Sequence, residues 1–306
     1  MVSTATSGPE ATDNQQSTVH RQFQSSHSDV YVVHNFLPIE LAMDWRRRMH
    51  KAWNGTQVLL ECLSAYENAG GICPNNDVVN GTFHYATNNE GTFQGMANNV
   101  KVRSLDNIAQ RNQTAHEMYR RGAFAYAKWE LPPTHELVRE MEHYFSSPST
   151  RQRVLQLLAR DQLELQWQDQ LADLFVTFYG QGDFLSTHND GLDGAWAFVV
   201  SLTQQPDHWS SEMGGTLKFQ CPHSAGHRQR YAANYWCEEV VPSFNTAIFF
   251  NTRPFGRTGP NHQVVPVKVS PETGYFRFGL TGWYLDANDS MPEYHKEELN
   301  KMRSRG

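Results

Sequence analysis

Cysteine is scarce in this chain. Cys62, Cys73, Cys221 and Cys237 are the only four in 306 residues, too few and too dispersed for a disulfide scaffold, so stability has to come from a packed core. Long apolar runs are missing as well. No stretch approaches the roughly 18 residues of a membrane-spanning helix, and the first residues lack the basic-then-apolar order of a secretory leader. A cytoplasmic location is the resulting expectation. Neither sign of charge is in large excess, with 26 Lys and Arg against 32 Asp and Glu for a formal net charge of -6. That balance excludes a general affinity for nucleic acid or an anionic membrane surface. Neither an internal repeat nor a nucleic-acid-binding motif is found.

What is present changes character along the chain. Residues 1–28 are rich in Ser, Thr, Gln and Asn with almost no large apolar side chains, which predicts a disordered tail. A single domain is expected over 29–289, with helical and lid elements at 36–160 and a β-barrel core at 173–285, followed by a polar C-terminal tail at 290–306. A short opening strand leads into a helix whose apolar residues Leu41, Trp45, Met49 and Trp53 recur near the 3.6-residue period. Further helices are predicted at about 107–121, 135–145 and 149–158, and the Asn- and Gly-rich stretch 65–102 reads as loops around short strands. From residue 173 short strands take over, at 174–179, 196–202, 215–219, 246–250, 264–269 and 276–284, between Gly- and Pro-rich turns. The fold class is therefore mainly β with N-terminal helices, its strands forming an antiparallel sandwich or barrel.

The chemistry concentrates in that β region. His188 and Asp190 are separated by one residue at the end of an apolar segment that reads as a strand, where side chains at i and i+2 share a face. His262 opens a later run of alternating valines. Two histidines and one carboxylate on one face leave open positions on a metal, the arrangement of non-haem Fe(II) oxygenases. The same three ligands on zinc could activate water for hydrolysis. Arg277 separates the two readings: it lies in Tyr275-Phe-Arg277-Phe, within a run so aromatic that it predicts a buried strand. A guanidinium cannot shed its proton and needs an anionic partner there, which the distal carboxylate of 2-oxoglutarate would supply in bidentate form.

These residues, with the pieces around them, resemble the double-stranded β-helix (jelly roll, cupin-like) of the Fe(II)/2-oxoglutarate-dependent oxygenases, in the prolyl-hydroxylase-like branch. The pieces, in order, are the opening Tyr31-Val-Val-His-Asn-Phe36, Phe124-Ala-Tyr126, Tyr179 before the first histidine, and Trp209 ahead of Gly214-Gly215. They continue with Phe244-Asn245, His262-Gln-Val264 and Arg277 leading to Thr281-Gly282-Trp283-Tyr284. The resemblance implies Fe(II) held by His188, Asp190 and His262, 2-oxoglutarate and O2 as cosubstrates, Arg277 on the distal carboxylate, and a hydrogen bond from Tyr179. Gly279 stands where many relatives have Ser, so a second hydrogen bond to the carboxylate is either missing or moved to Thr281. Because Asp190 is present where halogenating relatives have Gly or Ala, hydroxylation is implied over halogen transfer.

The expected function is hydroxylation of an unactivated C–H bond in a small molecule such as an amino acid or natural-product intermediate. Alternatives are a protein or peptide prolyl-type hydroxylase, desaturation or cyclisation on the same site, and a zinc hydrolase. Arg253 and Arg257, in the loop leading to His262, suggest an anionic substrate group. Phe83, Tyr85 and Trp196 are further substrate candidates, the first two in a stretch that reads as a lid. Cys221, His223, His227 and Cys237 have a spacing compatible with zinc, although a solvated loop is the preferred reading. Neither nucleic acid nor membrane is an expected partner, and a homodimer is left open.

Overall fold

The computed structural model describes residues 17–24, 29–67, 84–87, 105–158, 167–190, 193–203, 209–220, 236–252, 259–270, 273 and 275–287. Its strands are β1 (Thr18–Gln24), β2 (Asp29–His34), β3 (His84–Thr87), β4 (Tyr126–Glu130), β5 (Trp167–Tyr179) and β6 (Phe184–His188) in the first part. The second part adds β7 (Trp196–Ser201), β8 (Leu217–Gln220), β9 (Trp236–Val240), β10 (Thr246–Asn251), β11 (His262–Val264) and β12 (Arg277–Asp286). All pair antiparallel, in the order β1-β2-β10-β7-β12-β5-β4-β6-β11-β8-β9, with β3 alongside β4.

This order describes two runs joined through β4, and the burial pattern shows that they fold face to face. Val32, Val199, Ile248 and Phe250 of the first run share one apolar cluster with Leu217, Phe219 and Val264 of the second. Phe219 and Phe250 meet edge to face across the gap, 5.3 Å between centroids. The result is the double-stranded β-helix expected from the resemblance, with an interior between the runs and an outer face on the first.

Helices cover that outer face. α1 (Ile39–Glu67), α2 (Leu105–Arg120), α3 (Glu136–Ser146) and α4 (Pro148–Leu158) precede most of the strands. Ala42, Trp45, Met49 and Trp53 form the buried stripe of α1, while Leu137, Met141 and Phe145 form that of α3. They join the outward side chains Phe178, Phe198, Phe249 and Phe278 in a second cluster. Trp53 stacks on Phe178 at 3.7 Å, and Phe145 on Phe198 at 4.6 Å. Asn245, at φ 56 and fully buried, ties the entry of α1 to the barrel: its side chain accepts from Leu37 N and donates to Leu37 O, both at 2.8 Å.

Three expectations need correction. The disordered tail expected at 1–28 contains β1, whose Thr18–Gln24 pair with β2; the outer edge of β2 offers unpaired backbone groups, and pairing supplies what the polar side chains cannot. The strand predicted at 264–269 ends as regular strand at Val264, although its backbone stays bonded beyond that point, Val265 to Thr216 and Gly215 ahead of β8 and Val267 to Asp183 and Gly182 ahead of β6. The strand predicted at 174–179 begins at Trp167, whose ring stacks on Tyr284 at 4.1 Å. No helix among the described residues is long and apolar enough to cross a membrane.

Candidate active site

β6 and β11 lie side by side with His188 directly opposite His262. Strand pairing therefore brings together two imidazoles 74 residues apart in sequence, their ring centroids 4.2 Å apart. Asp190 is not on the strand as expected; β6 ends at His188, two residues before it. The carboxylate still reaches both imidazoles, with Oδ1 3.2 Å from His188 Nε2 and Oδ2 3.5 Å from His262 Nε2. The three ligand atoms lie within 4.8 Å of one another.

Each ring is oriented by its other nitrogen. Nδ1 of His188 lies 2.8 Å from Ser186 O, and Nδ1 of His262 lies 3.0 Å from Pro260 O. A carbonyl can only accept, so Nδ1 carries the proton and the Nε2 lone pairs face Asp190. Burial opposes ionisation of Asp190, but the charges of His262 and His188 hold its carboxyl down at about 2. Burial takes His262 down to about 4 against the pull of Asp190. His188 goes the other way: burial would lower it, yet once protonated its Nε2–H can donate to Asp190, which raises it. One anionic oxygen ligand and two inward nitrogens suit a divalent first-row metal.

Arg277 is the first residue of β12 and is paired with Tyr179 at the end of β5. It is 4% exposed, its Cζ sits 4.7 Å from the Tyr179 ring centroid, and its Nε has no hydrogen-bond partner. Burial lowers its pKa, and the hydroxyl of Tyr179 is its polar neighbour. No carboxylate among the described residues forms an ion pair with it. A buried cation with an orphaned N–H needs an anion from outside the chain. Both parts of the site thus fit their groups, a metal at His188, Asp190 and His262 and a carboxylate at Arg277.

The backbone around Arg277 is shaped for it. At Gly214, φ 68, a Cβ would come within 2.1 Å of Pro266 O, and at Gly215, φ 65, a Cβ would press on Arg277 Cδ at 3.3 Å. The Trp209 indole closes this corner by donating to Gly214 O at 2.9 Å. Gly279, two residues after the arginine, has room for a Cβ, which would touch Val200 O at 3.5 Å and Thr177 Oγ1 at 3.8 Å in ordinary contact. Thr281 is partly buried further along β12.

The substrate candidates fare differently. Trp196 is buried in the helix-side cluster, away from the interior; its neighbours Ala197 and Val199, on alternate positions, belong to the interior cluster. Phe83, Arg253 and Arg257 lie outside the described residues, as do Cys221, His223 and His227, and of Tyr85 only its place on β3 is described. The ends of the arginine loop are pinned, since a Cβ on Gly259 would fall 2.5 Å from Thr252 O, and Thr252 N donates to Ala195 O at 2.9 Å. Sequence reasoning passed over Phe124, whose ring lies 5.7 Å from that of His188, and the buried Lys128 and Glu130 on β4. The signal for these two was polar residues at alternate positions of an otherwise apolar strand.

Residues 174–285 match the family description 2OG-Fe(II) oxygenase superfamily. This part of the chain is a 2-oxoglutarate-dependent iron dioxygenase domain, which takes Fe(II), 2-oxoglutarate and O2. Among solved structures, the chain is similar to a Pseudomonas putida prolyl-4-hydroxylase at 18% identity and TM-score 0.35, over 68% of this chain and 95% of that one. It is also similar to a Trichoplax adhaerens prolyl hydroxylase in complex with a hypoxia inducible factor peptide, at 13% identity and TM-score 0.34, over 82% and 95%. A third is the non-haem α-ketoglutarate dependent epimerase SnoN from nogalamycin biosynthesis, at 12% identity and TM-score 0.35, over 61% and 76%. No curated protein matches the chain.

Proposed function

We propose that this protein is a 2-oxoglutarate-dependent hydroxylase of an unactivated C–H bond in a small molecule, with an amino acid or natural-product intermediate as the substrate class. The observation that carries the reading is Arg277, buried with no acidic partner among the described residues in the domain that also carries the His188, Asp190 and His262 cluster. When bound, Fe(II) supplies the redox chemistry that couples oxidative decarboxylation of 2-oxoglutarate to oxygen insertion. The chain's own work is positional. His188, Asp190 and His262 would hold the metal. Arg277 would take the distal carboxylate in bidentate form, with Tyr179 donating its phenolic proton to the same cosubstrate.

Phe124, beside His188, and the apolar interior keep water from the reacting carbon. Arg253 and Arg257 are assigned to an anionic group of the substrate, from their place in the loop that leads into His262. Mass spectrometry of candidate amino acids, natural-product acids and proline-containing peptides, incubated with Fe(II) and 2-oxoglutarate, tests the reading. Gain of one oxygen atom by a small molecule is expected. Gain confined to peptides would transfer the assignment to a prolyl-type hydroxylase, and loss of two hydrogens would indicate desaturation or cyclisation.

A further inference from the structure

β4 lies outside the matched family segment, yet it bridges the two runs and lends its inner face to the site. Trp129 pairs with Phe178 and Glu130 with Thr177, so the register sets Lys128 beside Tyr179, which in turn pairs with Arg277. Paired residues on neighbouring strands share a face. One cross-strand row therefore reads Lys128, Tyr179, Arg277, and the next reads Glu130, Thr177, Gly279. Lys128 and Glu130 are each 9% exposed and form an ion pair at 2.7 Å. The ammonium also lies 4.8 Å from the Phe175 ring and 5.2 Å from the Tyr126 ring. Burial would lower the Lys128 pKa, but Glu130 and the Tyr179 side chain raise it.

A buried ion pair is a poor stabilising device, since desolvation offsets most of its attraction and apolar residues of equal volume serve as well or better. Its placement asks for another explanation. The orphaned Nε of Arg277 and the space left by Gly279 border the same two rows. We propose that Lys128 is a second cation of the 2-oxoglutarate pocket and that Glu130 is its built-in counter-ion. Together with Arg277 they set the net charge at that end to one positive unit, matched to one carboxylate. The inference rests on the cosubstrate site proposed above, and it assigns Lys128 and Glu130 to selection of the dicarboxylate rather than to folding.

The test is equilibrium binding of succinate and of 2-oxoglutarate to the metal-free full chain by calorimetry, with far-UV circular dichroism to confirm folding. Lys128→Met leaves Glu130 repelling the ligand, and both affinities should fall about ten-fold or more. Glu130→Gln keeps Lys128 hydrogen-bonded while removing the repulsion, so both affinities should rise. The double variant buries no lone charge and should bind between the two single variants. Opposite signs for the single variants support the proposal. Equal losses in both, or unchanged affinity in Glu130→Gln, identify a merely structural pair and overturn it, even where Lys128→Met fails to fold. Arg277→Ala separates the two levels: weakened binding there with unchanged affinity in Lys128→Met and Glu130→Gln leaves the site intact and removes only the pair. A parent protein that binds neither dicarboxylate overturns both readings.

Discussion

β5 and β12 have two faces that do opposite work. On the helix side, Phe178 of β5 and Phe278, Leu280 and Tyr284 of β12 meet Trp53 and Phe145 in a continuous aromatic cluster. On the interior side, the intervening residues are Thr177 and Tyr179, and Arg277, Gly279 and Thr281. The strands are the same, and all of these residues except the partly buried Thr281 are buried, but one face is filled by the chain itself and the other is left for something else. Arg277 shows the difference best: it is as buried as its apolar neighbour Phe278, yet its Nε has no partner. Buried polar groups without partners cost free energy. A buried cation with no acidic partner among the described residues, on one face of a well-packed sheet, marks where the fold accepts a cost for function.

The sharpest way to break the comparison is through the metal ligands. Replacing His188, Asp190 or His262 with Ala should abolish succinate formation, while circular dichroism remains that of the parent. Near-normal turnover in His262→Ala would show that the third ligand is misassigned. Added Fe(II) should also raise the melting temperature of the parent and not that of the variants, by the ordinary linkage of about 2.7 kcal/mol at a hundred times Kd.

On the helix side the expected loss is in stability alone. Phe198→Ala removes a ring stacked on Phe145 and should cost about 3–5 kcal/mol in denaturant unfolding, with the 2-oxoglutarate requirement of the folded fraction unchanged. A changed requirement would mean that the two faces are coupled. Arg277→Ala should do the reverse. Losing a buried partner of a ligand carboxylate typically costs about 2–5 kcal/mol, a weakening of thirty-fold or more in 2-oxoglutarate binding, with iron affinity retained. An unchanged 2-oxoglutarate titration would remove the cosubstrate role.

The smallest effect is expected at Gly279. Its position has room for a side chain, so Gly279→Ser should fold normally and place a hydroxyl close to Thr177 and Arg277. One added hydrogen bond is worth about 0.5–1.5 kcal/mol, and 2-oxoglutarate should bind a few-fold more tightly. Weaker binding would show that the ligand, or Lys128, already uses this space.

Much of this was legible in the chain. The stripe Trp45, Met49 and Trp53 announces its helix, and the alternation in 277–284 announces a strand with one polar and one apolar face. His188, Asp190, His262 and Arg277 could be picked out because their residue types are expensive to bury and sit in segments that must be buried. β1 was missed because pairing with β2 leaves no mark in its own sequence. Lys128 and Glu130 were missed because a charged pair on a short strand looks like a solvated face until the neighbours of that strand are known. The side that Trp196 faces was not legible for a related reason: a buried aromatic can face either side of a sheet, and only the positions of the helices select the side.

The sequence by itself determined which residues can ligate a metal, which cation cannot be neutralised, and the local periods that make helices and strands, because these are properties of side chains and of spacings within a few residues. Tertiary structure decided the rest. Register between β6 and β11 sets His188 against His262, and the segment after the end of β6 rather than a strand face delivers Asp190. The register of β4, β5 and β12 aligns Lys128, Tyr179 and Arg277. Pairing between strands far apart in the chain has no local signature, since it is selected by how the whole set of apolar faces is buried at once.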